Sequence, residues 1–167
     1  MTPQEHLRRV RVWLAVFLIG LVLAGLTAFP LVTEVTLLHR LTADLPLPAD
    51  VHRWIDTVHA GITEMDARYP FLAYGTDWLA FAHLVIAVAF LGPLRDPVRN
   101  VWVVQWGMVN CVAIVPLALI AGPVRGIPWW WTLIDLSFGV FGIIPLLLAY
   151  RHIRALTATP AAAPATA

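Results

Sequence analysis

The chain holds 167 residues, of which 60% are hydrophobic and 13% charged, with a net charge of +1. Soluble domains carry about 25% charged residues, so this deficit, with a mean hydropathy of +0.78, points to lipid as the solvent. A near-neutral balance without a basic stripe argues against nucleic-acid binding, and a lone cysteine, Cys111, excludes a disulfide framework.

At the amino end, Thr2-Pro3-Gln4-Glu5 reads as a capping box with proline in the first turn. It leads into an apolar run over 12–29, close to the ~20 residues that cross a bilayer core. The run is longer than the apolar part of a signal peptide, and a cut after Ala28 would leave Leu26 where a small residue is needed. An uncleaved span is therefore expected. Leu31 to Leu41 is expected to carry this helix outward beyond Pro30, with Glu34 at the outer rim.

Residues 30–75 form an external segment. Val51, Trp54, Ile55, Val58, Ile62 and Met65 recur at helical spacing, which predicts a surface helix over about 50–66. Such an amphipathic helix lies on the membrane surface or covers the mouth of the bundle. His52, Asp56 and His59 fall at i, i+4 and i+7 on its other face, a spacing that suits zinc. Polar residues belong on that face in any case and no further ligand is implied, so a solvated face is the favoured reading and no metal is expected.

Three more spans follow, over 76–93, 97–121 and 132–150. Thr76 is expected to cap the second, with Asp77 in its first turn facing the positive end of the helix dipole. Asp96-Pro97 should open the third, and Thr132 with Asp135 should form a capping pair for the fourth. Spans two and three both reach the same phrase, GPLR at Gly92–Arg95 and GPVR at Gly122–Arg125. Glycine ends a helix, proline forbids its continuation and arginine suits the carbonyl end, so the phrase reads as punctuation, not as an internal repeat. The tail, 155–167, lacks an apolar pattern and is expected to be disordered.

Arg8, Arg9, Arg11, Arg95, Arg99, Arg151 and Arg154 fall on one side of this layout, which places both termini in the cytoplasm of a bacterial inner membrane. Trp129 to Trp131, Tyr69, Tyr74 and Trp78 then mark the outer interface, and Trp13, Trp102 and Tyr150 the inner one.

An ionisable side chain inside a bilayer is a functional candidate by default. Asp77 and Asp135 are accounted for as helix starts. His83 lies six residues past Asp77, about 9 Å deeper, on a face with the small Ala80 and Ala87. Asp135, Gly139, Gly142 and Leu146 form a similar stripe on span four; if the two stripes meet, His83 can hydrogen-bond Asp135 or a water near it and the pair can share a proton. Asn110 sits at mid-depth of span three with Trp106 and Ala113 on its face, and Pro116 and Pro145 free the carbonyls of Val112 and Phe141. His83, Asp77, Asp135, Asn110, Trp106 and Tyr74 are the candidate ligand-binding residues.

No metalloprotease, phosphate-loop, dinucleotide or paired-cysteine motif is present. The only serine, Ser137, lies outside a nucleophile elbow, and His83 is the only intramembrane histidine, which disfavours bis-histidine haem. The layout is loosely similar to that of the small sterol-isomerase and sigma-2-receptor-like membrane proteins, a likeness of architecture that transfers no residue. The expected fold is an all-α integral membrane protein, a four-helix transmembrane bundle over 1–154 with an amphipathic helix in its first external loop. The expected function is non-enzymatic binding of a lipophilic small molecule or of a partner membrane protein, a second copy included. A small membrane enzyme using His83 with Asp77 or Asp135 is the runner-up. A solute or ion transporter ranks third, because Gln105 alone lines the inner half of a polar path. Nothing in the sequence names a cofactor.

Overall fold

The computed structural model describes residues 2–158, and the regular elements among them are all helices, without a strand. The elements are α1 (Pro3–Ala28), α2 (Leu31–Thr42), α3 (Ala49–Arg68), a 3-10 turn (Pro70–Leu72), α4 (Tyr74–Ala89), α5 (Leu91–Arg95), α6 (Val101–Val124) and α7 (Trp129–Ala158). Four stretches are long and apolar enough to cross a membrane: α1, Pro70–Arg95, α6 and α7. The capping box forms as its residues predict. The Thr2 backbone N–H donates to the Glu5 carboxylate at 2.8 Å, and the Glu5 N–H to Thr2 Oγ1 at 3.2 Å.

Several boundaries differ from expectation, each for a local reason. Residues 29–30 break the first helix, so α2 is a separate element and not an extension of α1. A 3-10 turn opened by Pro70 starts α4 at Tyr74. Thr76 then lies inside the helix, and its hydroxyl donates to the Ala73 carbonyl at 2.6 Å instead of capping. Likewise α7 begins at Trp129, so Thr132 is buried within it and bonds the Pro128 carbonyl; it forms no capping pair with Asp135. Asp96 caps only a turn, accepting the Arg99 N–H, and α6 starts at Val101. Neither GP phrase stops a helix. Gly92-Pro93 lies within α5 and Gly122-Pro123 within α6, which ends at Val124, two residues before Gly126, the one described residue with positive φ (69°). The helix α7 runs to Ala158, so 155–158 are helical; the rest of the expected tail lies outside the described residues.

The chain forms two compact units, one comprising residues up to Gly20 with those from Ala87 onward, the other Leu21–Ile86. In the first, the main packing is α6 on α7, and small residues allow it. A Cβ at Gly139 would stand 2.7 Å from the Cys111 carbonyl oxygen, and one at Gly142 would stand 3.0 Å from Cys111 Sγ. Gly107 leaves room for the Phe90 ring, which stacks at 4.7 Å on Phe17 of α1. Val10, Leu14, Phe90, Pro93, Val104, Leu146 and Ile153 are among its fully enclosed side chains. In the second unit, α2 and α3 pair antiparallel, since residue 36 meets 59 and 39 meets 56. There Ile55 is the buried residue of α3, and Gly25 of α1 lies against α4.

Candidate functional site

His83 is half-buried, and its position is set by a close helix contact. A Cβ on Gly25 would meet both the Ala80 carbonyl oxygen and His83 Cβ at 3.0 Å, so α1 occupies the small face of α4. His83 Nδ1 lies 2.8 Å from the Leu79 carbonyl one turn back. A carbonyl only accepts, so Nδ1 carries a proton there; the other ring nitrogen, Nε2, is a lone-pair acceptor when the ring is neutral. That nitrogen makes no hydrogen bond among the described residues. The second small stripe is also occupied, because Gly139 and Gly142 abut Cys111 of α6. Each of these contacts lies within a single unit of the chain.

The remaining candidates are placed separately. Asp77 and Asp135 are half-buried, and among the described residues neither carboxylate forms an ion pair or hydrogen bond. Six residues of helix turn Asp77 about 120° away from His83, so the two do not share a face. Tyr74 joins Trp78 and Phe81 in an exposed aromatic row, with edge-on contacts at 6.0 and 6.4 Å. Trp106, Asn110, Ala113 and Leu117 recur at i, i+4, i+7 and i+11 as one exposed stripe of α6. Among the described residues the Asn110 amide has no hydrogen-bond partner. Gln105 is occupied by donation to the Tyr150 hydroxyl at 3.4 Å.

The proposed metal set on α3 separates. His52 Nε2 donates to the Leu45 carbonyl at 3.1 Å, away from Asp56 and His59. Those two instead meet α2. His39 Nε2 donates to Asp56 Oδ1 at 3.1 Å and its ring stacks on His59 at 4.4 Å. The Thr36 hydroxyl donates to the Val32 carbonyl and accepts from His59 Nε2. No group of three or more His, Cys, Asp or Glu among the described residues is placed to hold a metal ion. No family model matches the chain, and no curated protein or solved structure matches it.

Sequence reasoning missed two polar clusters. His39 joins α3 only because α2 folds back as a helix of its own, which the reading of one long outward helix hid. His6 and His152 meet with Nδ1 atoms 3.0 Å apart, one donating and the other accepting a single proton. Burial first, and then His6, Arg9 and Arg151, push His152 below the ordinary histidine value of 6.5.

Proposed function

We propose that the chain is an integral membrane protein that acts by binding, and that its occupant is a partner membrane helix, foremost a second copy of itself. Asn110 carries this reading. It is an exposed amide without a partner, set among exposed Trp106, Ala113 and Leu117 on a helix apolar enough to span a bilayer. A carboxamide both donates and accepts, so two copies related by a two-fold axis satisfy each other, and Ala113 lets the backbones approach. The arginine distribution supports a bacterial inner membrane with both ends cytoplasmic. In that orientation α3 lies at the outer surface, and the last two turns of α7, which is about 45 Å long, project past the hydrocarbon layer.

The test is the association of the full chain in lipid nanodiscs, followed by cross-linking across dilution. Asn110→Leu should weaken association by roughly 5- to 30-fold, the equivalent of the ~1–2 kcal/mol of one interhelical hydrogen bond. A wild-type chain that stays monomeric at every dilution and purifies without a companion overturns the reading.

A second reading rests on His83. Its unengaged Nε2 is a hydrogen-bond acceptor for a lipophilic molecule or a general base for a membrane enzyme. Native mass spectrometry of the purified chain tests it. A retained small molecule should be lost from His83→Ala, and unchanged retention removes this site. Engagement of Gln105 with Tyr150 weighs against a transport path.

A further inference from the structure

Along the amino-terminal half of α1, Gln4, Leu7, Arg8, Arg11, Val12 and Ala15 line an open groove of about 450 Å³. A second depression of about 430 Å³ adjoins it, sharing Arg8 and Val12 and adding Arg9 and Trp13. Positions 4, 8, 11, 15 and 19 form one stripe of the helix, whose character changes along the axis. The two arginines stand at one end, and exposed Val12, Val16 and Ile19 continue toward the other. Arg11 and Ile19 are about 12 Å apart along the axis.

The guanidinium groups have no carboxylate partner among the described residues. Among the described residues the ion pairs are His39–Asp56, Arg53–Asp50 and Arg68–Glu64, none at this end. The nearby acids are engaged with backbone, Glu5 by the Thr2 N–H and Asp96 by the Arg99 N–H. Arg11 is held in place because its Nε donates to the Leu94 carbonyl of α5 at 3.3 Å, which leaves its terminal nitrogens to donate elsewhere. Arg8 makes no hydrogen bond or ion pair among the described residues. Two arginine forks above an exposed apolar strip match a ligand with an anionic oxygen group at one end and a hydrocarbon chain at the other.

We propose that this groove binds an anionic glycerophospholipid, its phosphate between Arg8 and Arg11 and one acyl chain along Val12, Ala15 and Ile19. A free phosphate uses only the arginines and leaves the apolar strip bare. A zwitterionic lipid brings its own cation to two uncompensated guanidiniums. The site rests on the bilayer reading of α1 and not on the Asn110 contact, so a monomeric Asn110→Leu chain that retains the anionic lipid supports it while the partner reading fails.

The experiment is native mass spectrometry of the full chain in detergent, with phosphatidylglycerol and phosphatidylcholine of matched acyl chains. Phosphatidylglycerol should be retained on the order of tenfold to thirtyfold better. Arg8→Gln with Arg11→Gln should abolish the difference, whereas Arg40→Gln with Arg68→Gln should preserve it. Arg8→Gln alone, which leaves the Arg11–Leu94 contact intact, should reduce it and covers the case of a double variant that fails to fold. Equal retention of both lipids, an Arg8→Gln chain indistinguishable from wild type, or displacement of phosphatidylglycerol by millimolar inorganic phosphate overturns the proposal.

Discussion

Gly139 and Gly20 are both helical glycines, yet their surroundings make opposite demands. At Gly139 a methyl group would stand 2.7 Å from the Cys111 carbonyl oxygen, a backbone atom that moves only if α6 moves, whereas at Gly20 nothing lies within 4 Å. Gly139→Ala should therefore lower stability by about 1–3 kcal/mol despite alanine's better helix propensity. Gly20→Ala should raise it by up to about 1 kcal/mol. Thermal unfolding of the two variants in the same detergent checks both, and a stabilised Gly139→Ala chain would contradict the packing. The small character of the stripes was legible in the sequence; their partners were not. Ala80 and Gly139 each state that some backbone comes close, and the neighbour's identity depends on long-range packing that periodicity does not encode.

Helix α1 and helix α7 meet at His6 and His152, and there a pH dependence follows. His152 lies beyond the 132–150 stretch read as spanning, and its proton affinity is lowered in the folded chain by burial and by its cationic neighbours. The unfolded chain thus binds this proton at a higher pH than the folded one. The contribution of the neutral pair is complete above 6.5, the ordinary histidine value, and declines as pH falls below it toward the lower folded value. Melting temperature should drop between pH 7.5 and pH 5, and His152→Gln should flatten that part of the profile. An unchanged profile would show that the pair carries no such linkage. Helix existence was legible for every apolar run, because length and hydropathy decide it. The boundaries were not, because Pro70 and Pro128 start α4 and α7 a turn or less before the threonines that carry a capping signal. Both threonine hydroxyls bond backward into their own helices, an option that sequence spacing does not distinguish from a cap.

For the molecule as a whole, four helices of spanning length leave most of their apolar surface outside the chain's own packing: 17–28% of each spanning window is buried within it. Lipid and partner helices are the natural cover for such surface. Asn110 distinguishes them, since lipid hydrocarbon offers no hydrogen bond to an amide. That residue was identified from its type and depth alone, and the structure adds that it is exposed and unpartnered. His83 followed the opposite course: singled out as a deep base awaiting an acid, it has one nitrogen fixed by its own helix and α1 against its Cβ.

The His6–His152 contact joins residues 146 positions apart. On a ribosome adding about 5–20 residues per second, His6 leaves the exit site roughly 7–30 s before its partner exists. Val10 and Leu14, enclosed in the finished unit, have no such enclosure during that interval. The first helix made is therefore among the last to dock, while α6 and α7, joined by a short turn, associate as soon as both are made.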